Sequence, residues 1–88
     1  MADISLDDLK KMLPDKAIPL LSNYISSHPD SDEALTIRGM KYWALGIRNL
    51  AIKDYHAALL INPDSNARQA LSMANSILNF YNKDLLNP

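Results

Sequence analysis

Apolar residues recur every three to four positions along most of the 88-residue chain, the spacing at which side chains share one face of an α-helix. Each such segment ends in proline, in glycine or in a residue type that caps helices. The pattern therefore predicts an all-α fold without strands, with roughly 70% or more of the residues in helices. The clearest apolar stripe lies near the C-terminus and consists of Ala67, Ala70, Leu71, Ala74, Ile77, Leu78 and Tyr81.

Capping residues and helix breakers divide this pattern into five helices. Ser5 is placed to cap the first helix, Pro14 ends it, and Pro63 closes the fourth. Pro19 is expected in the first turn of the second helix, where a missing N–H is tolerated. Gly46 follows the third helix and suits the left-handed conformation that commonly ends a helix. The predicted helices span residues 5–12, 15–27, 31–45, 49–61 and 65–83.

The chain contains an internal repeat with a period of 34 residues. The tripeptide Pro-Asp-Ser occurs at 29–31 and again at 63–65, and Ala-Ile occurs at 17–18 and at 51–52. Comparing residues 17–31 with 51–65 without gaps gives five identities in fifteen positions. A period of this length indicates stacked supersecondary units, none of which buries its apolar face alone. Such an architecture usually presents a surface to a partner.

Within the second period, bulky and small residues stand at fixed spacing: Leu35, Gly39, Tyr42, Ala51, Tyr55, Ala58 and Pro63. With these residues, segment 32–65 resembles a tetratricopeptide repeat (TPR), a 34-residue helix–turn–helix unit. The small residues would allow the third and fourth helices to approach closely. Arg38 departs from the family, which prefers leucine there. Its aliphatic stem is expected to cover apolar surface while its charge reaches water.

The resemblance implies antiparallel helix pairs of a TPR-like right-handed superhelix, in one domain over residues 1–88. Residues 5–31 would form a partial repeat, 32–65 a full repeat, and 66–88 a capping helix with a tail. The fifth helix leaves the register of the repeat, because the period assigns its packing positions mostly to polar residues. It is either a rotated cap that closes the core or a helix whose stripe partly faces outward and binds another chain. The packing positions that the period assigns in this helix are Gln69, Ser72, Met73 and Ser76.

Composition and charge narrow the function classes. The formal net charge is −1, which gives no electrostatic argument for nucleic acid. The chain has no cysteine, so it has no disulfides or thiolate chemistry, and this fits a cytoplasmic location. The acidic N-terminus lacks the apolar region of a signal peptide. No apolar run approaches the roughly 20 residues of a membrane-spanning helix, so no membrane partner is expected.

No arrangement of residues predicts catalysis, a cofactor or a metal site. His28 and His56 are not spaced as metal ligands on one helix face, and His28 is better explained by interaction with the carbonyls at a helix end. The acids at Asp30, Asp32 and Glu33 lie where a helix N-terminus attracts negative charge. Asp-Ser at 64–65 is similar to the site where carrier proteins attach a phosphopantetheine arm, but a capping serine is the simpler interpretation.

The resemblance implies a groove lined by the first helix of each repeat. Trp43 is the only tryptophan; it is either an apolar anchor for a partner or a residue that packs on the fifth helix. Some TPR domains hold a C-terminal carboxylate with lysine and asparagine, and that ligand class is disfavoured here because Thr36 and Met40 occupy such places. The predicted partner-binding residues are Glu33, Thr36, Met40, Trp43 and Ala44 in the groove and Ile77, Leu78 and Tyr81 on the fifth helix.

These observations predict a non-catalytic protein–protein interaction module in the cytoplasm, binding a protein or peptide. One alternative is a self-assembling unit, a homodimer formed through the fifth helix and its tail, where Leu85 and Leu86 follow as if a further helix began. Another is a helical carrier or accessory subunit of an enzyme, with Ser65 as the candidate attachment site.

Overall fold

The computed structural model describes the backbone of residues 5–86 and the side chains of residues 5–77. This part of the chain is all-helical and contains no strand, which confirms the predicted fold class. The five helices pack against one another. They are α1 (Leu6–Lys11), α2 (Pro14–Ser27), α3 (Asp32–Ala44), α4 (Arg48–Ile61) and α5 (Ala67–Leu86).

The start of the chain follows the predicted capping chemistry, with two corrections. The Ser5 hydroxyl accepts a hydrogen bond from the amide of Asp8 at 3.2 Å, and the Asp8 carboxylate accepts one from the amide of Ser5. Pro14 does not only end α1 but also begins α2, at the first helical position, where its fixed φ is favourable. Pro19 lies beyond the first turn, so α2 lacks the hydrogen bond that residue 19 would give to the carbonyl of Asp15.

A tight glycine turn joins α3 to α4. Gly46 has φ = 81°, the left-handed conformation predicted for it. Its amide donates to the carbonyl of Trp43 at 2.9 Å, and the amide of Ile47 donates to the carbonyl of Tyr42 at 2.9 Å. These two hydrogen bonds form a Schellman motif, which satisfies carbonyls that the helix end leaves open. The chain therefore reverses within three residues, and α4 returns antiparallel along α3.

The core consists of two clusters on opposite sides of α3. Ala34 and Ile37 face α1 and α2, whereas Leu35 faces α4 and α5. Ile25 of α2 packs against both clusters and so connects them. The first cluster contains the larger aliphatic side chains, and the second is built mostly from alanines around Tyr55. The first comprises Leu9, Ala17, Leu21, Ala34 and Ile37; the second comprises Leu35, Ala51, Tyr55, Ala58, Ala67 and Ala74.

Small residues bring α3 and α4 into close contact, as predicted. A β-carbon built on Gly39 would lie 2.6 Å from Cε1 of Tyr55 and 3.1 Å from the carbonyl oxygen of Ala51. Ala58, which follows Tyr55 by one turn of α4, is completely buried. Any side chain at position 39 would displace the ring of Tyr55, so the close packing of the two helices favours glycine at this position.

Arg38 directs its charge mainly to a buried carboxylate rather than to water, contrary to the expectation from the sequence. Its Nε and Nη2 atoms each donate to Asp54 of α4 at 2.8 Å, and Nη1 donates to the hydroxyl of Ser22 on α2 at 3.1 Å. The guanidinium also lies 5.7 Å from the ring centre of Tyr42. Asp54 is buried, and its hydrogen bonds raise the pKa of Arg38 above its ordinary value although burial opposes the charge. This ion pair ties three helices together.

Candidate partner-binding groove

A hydrogen-bonded pair of hydroxyls fixes the beginning of α5 beside α3. The hydroxyls of Thr36 and Ser65 lie 3.2 Å apart, and both residues are buried. Thr36 donates its single hydroxyl proton to the carbonyl of Asp32 at 2.8 Å, so Ser65 is the donor between the two hydroxyls. Ser65 in turn accepts from the amide of Ala67 at 3.1 Å, which fixes the first turn of α5. From this point α3 and α5 run in the same direction.

Beyond that pair, α5 packs on α4 and leaves a groove along α3. The groove has a volume of about 650 Å³ between the first halves of α3 and α5, with Lys10 at its rim. It continues into a second hollow of about 210 Å³ towards the end of α3. Met40, Ala70 and Met73 line both parts, so the two form one continuous surface.

The two ends of the groove differ in polarity. The end near the start of α3 is lined by acids and amides, whereas the other end is lined by apolar side chains. The polar end consists of Lys10, Asp32, Glu33, Asn62, Asp64, Asn66 and Gln69, and the apolar end of Met40, Trp43, Tyr55, Ala70, Met73, Ala74 and Ile77.

Large apolar side chains are exposed at the apolar end. Met40 is 49% exposed, Met73 60% and Ile77 37%. Trp43 is partly buried against the second core cluster, and the guanidinium of Arg48 lies 5.1 Å from its ring centre. Trp43 therefore packs on the core cluster that contains alanines of α5 and also lines the second hollow, while its role as an anchor for a partner stays a prediction.

The structure brings most of the sequence-predicted site residues together. Glu33, Thr36 and Met40 line the main groove, and Trp43 lines the second hollow. Thr36 is buried and hydrogen-bonded, so its role there is to hold the wall of the groove. Ala44 is exposed but is not among the residues that line either hollow.

On the fifth helix, one of the three predicted residues can be placed. Ile77 lines the second hollow, whereas Leu78 and Tyr81 lie outside the described side chains. The stripe on α5 mostly faces the core, since Ala67 and Ala74 are buried in the second cluster. This supports the rotated-cap interpretation for the described part of α5.

Met73 and Gln69 are groove residues that the sequence reasoning did not select. Both stand at positions that the 34-residue period assigns to packing, equivalent to Gly39 and Leu35 of α3. Because α5 is rotated, its packing face is the stripe of alanines, and these two side chains turn to the groove. The displaced stripe was the signal in the sequence: because the packing face of α5 is shifted, the positions that the period assigns to packing line the groove instead.

Residues considered for other chemistry have structural roles. Ser65 is only 5% exposed, so a prosthetic arm on its hydroxyl would have to displace the hydrogen bonds to Thr36 and Ala67. Nδ1 of the His28 ring donates to the carbonyl oxygen of Tyr24, 3.1 Å away, and the ring stacks on that of Tyr24, as expected of a residue at a helix end. His56 is exposed. Among the described residues, no three histidines or carboxylates are grouped to hold a metal ion.

Comparison of the chain with protein-family models, with curated proteins and with solved structures gave no match. No helix in the described part is both long and apolar enough to cross a bilayer.

Proposed function

We propose that this chain is a non-catalytic, TPR-like interaction module whose groove between α3 and α5 receives a segment of a partner protein. The observation that carries the proposal is the continuous groove whose apolar end exposes Met40, Met73 and Ile77 beside Trp43. Exposed apolar side chains that cluster in a concave surface are typical of interaction sites. A cytoplasmic location, consistent with the absence of cysteine, is part of this proposal.

The residue types at the apolar end suit an adaptable contact. Methionine is flexible and polarisable, so Met40 and Met73 can fit partner side chains of different shapes. Trp43 is held on one side by the core and supplies a rigid aromatic surface at low entropic cost. A rigid aromatic residue between two flexible ones is the composition expected of a peptide-binding surface.

Site-specific photocrosslinking in cells that express the full chain tests this function. A benzoylphenylalanine residue at position 73 is compared with one at position 60, since both replace exposed apolar side chains. We expect a defined crosslinked protein from position 73 but not from position 60, and we expect Met40→Ser to abolish it. Equal crosslinking from both positions would contradict a groove-specific partner.

A further inference from the structure

We propose that the segment bound in this groove carries apolar side chains at one end and lysine or arginine at the other, about 15 Å apart. This inference rests on the proposed function and adds the chemistry and the polarity of the partner. It follows from three features of the groove: the separation of its apolar and polar ends, the charge at the polar end, and the distance between them.

The polar end carries an excess of negative charge. Within the described side chains that line this end, Asp32, Glu33 and Asp64 contribute three carboxylates and Lys10 one ammonium, which leaves a net charge of −2. Glu33 and Asp64 are exposed, whereas Asp32 is partly buried and accepts a weak hydrogen bond from Asn62 at 3.4 Å. Among the described residues, those that line the apolar end carry no charge, so these three carboxylates lie at one end of the groove.

Helix dipoles do not neutralise this charge. Acids in the first turn of α3 are expected on structural grounds, because a helix N-terminus bears about half a positive charge. The N-termini of α3 and α5 together supply roughly one positive charge, against the net −2 of the side chains. About one negative charge therefore remains to attract a cationic group, and the walls of the groove strengthen that attraction relative to a flat surface.

The distance between the ends fixes the spacing in the partner. Glu33 and Trp43 are ten residues apart on α3, so at 1.5 Å per residue their Cα atoms are separated by about 15 Å. A partner helix spans that distance in about ten residues and an extended segment in about five. The cation and the apolar anchor of the partner should show one of these two spacings.

Selection from a phage-displayed library tests the inference. The probe is a library of random peptides of about fifteen residues, without tryptophan, so that Trp43 alone reports binding by fluorescence. We expect enriched peptides to combine leucine, methionine or phenylalanine with lysine or arginine at one of the two spacings. Enrichment of acidic or uncharged peptides, or no enrichment, would overturn the inference.

A pair of matched charge reversals then locates the cation. Glu33 and Asp15 are both exposed acids at the second position of a helix, so Glu33→Lys and Asp15→Lys change the same net charge and the same dipole interaction. We expect Glu33→Lys to lower the affinity for the enriched peptides by roughly 3- to 10-fold, and Asp15→Lys to lower it by less than about twofold. Raising the salt from about 0.01 M to 1 M should remove most of that difference, because it shortens the screening length from about 30 Å to about 3 Å.

The outcomes separate this inference from the function on which it rests. If Glu33→Lys and Asp15→Lys have equal effects while Met40→Ser still abolishes binding, the groove binds a partner, but the inference of a cationic group at its polar end is wrong. If sedimentation equilibrium of the free chain shows a dimer that dissociates on Met73→Ser, a second copy occupies the groove, and both the inference and a separate partner are wrong. A monomer with the expected charge preference supports the inference.

Discussion

The two sides of α3 differ in how they meet a neighbouring helix. Towards α4, Gly39 and Ala58 let the backbones approach until Tyr55 fills the remaining space, and Arg38 pairs with the buried Asp54. Towards α5, contact is much sparser; the hydroxyls of Thr36 and Ser65 meet at its start, and flexible side chains line the opening beyond them. One helix thus contributes to a closed interface that stabilises the fold and to an open groove available for binding.

Side-chain size and helix rotation produce this difference. The closed interface contains small buried residues on both helices, among them Gly39 and Ala58, and its Arg38–Asp54 pair is satisfied by hydrogen bonds. In the open groove α5 turns Ala67 and Ala74 to the core cluster, and Met73 lines the opening together with Met40. Substitutions in the closed interface should therefore cost stability, whereas substitutions in the groove should cost binding.

Asp54→Ala should be the most damaging. The substitution removes the carboxylate that pairs with Arg38, whose side chain is 21% exposed, and leaves the guanidinium with its hydrogen bond to Ser22. Breaking a fully buried ion pair costs about 3–5 kcal/mol, and partial exposure of Arg38 reduces this to an expected 2–4 kcal/mol. Urea unfolding measures the loss, with the exposed Asp64→Ala as the control, expected within about 0.5 kcal/mol. Equal effects of the two variants would show that the pair contributes nothing.

Ala58→Leu should overpack the closed interface. Ala58 is completely buried between the helices, so the added methine and two methyl groups must push α3 from α4, at a cost of about 1–3 kcal/mol. The control is His56→Leu, which adds an apolar side chain at an exposed position of the same helix. Thermal unfolding compares them, and an unchanged midpoint for Ala58→Leu would mean that this pairing of helices is wrong.

Tyr55 should make the closed interface sensitive to alkali. Burial, with a further contribution from the charge of Asp54, raises the pKa of Tyr55 above its ordinary value of about 10. The folded state then holds the proton more tightly than the unfolded state, so the stabilisation is complete below about pH 10 and is lost as the pH rises further. Between about pH 9 and about pH 11, the midpoint of urea unfolding should decrease more for the wild type than for Tyr55→Phe. An equal decrease of the midpoint in the wild type and in Tyr55→Phe would show that the ionisation of Tyr55 does not cause the sensitivity to alkali.

Met40→Ser combined with Met73→Ser should change stability least. Both side chains are largely exposed, so each substitution is expected to alter the free energy of unfolding by no more than about 0.5 kcal/mol. Leu21→Ser, at a completely buried position of the first cluster, is the reference for a core substitution. A loss in the double variant approaching that of Leu21→Ser would show that the groove is closed in solution.

Local features of the fold were predictable because neighbouring residues determine them. The cap at Ser5 and the left-handed Gly46 depend on a few adjacent residues, and the close approach at Gly39 follows from the small side chain itself. The partner of Arg38 was not predictable, because Asp54 is 16 residues away and is one of several acids that could have faced it. The orientation of a side chain across a helix pair depends on packing that periodicity does not define.

The candidate groove was predicted in part. The positions on α3 followed from the resemblance to a TPR, and Met40 and Trp43 do line the groove. The α5 wall depends on how far that helix is rotated about its axis, and the rotation is set by the fit of Ala67 and Ala74 against α4. The displaced stripe indicated a rotation, but only the packing shows that Met73 lines the groove together with Met40.

Solvent access to the methionine methyl groups tests the central contrast most directly. A soluble nitroxide broadens the NMR signals of accessible methyl groups; Leu60, which is 87% exposed, and Leu21, which is completely buried, provide the two reference values within the same sample. We predict that the methyl groups of Met40 and Met73 broaden to an extent closer to Leu60 than to Leu21. Broadening as weak as that of Leu21 would show that the groove is covered, and would contradict an open binding surface on α3.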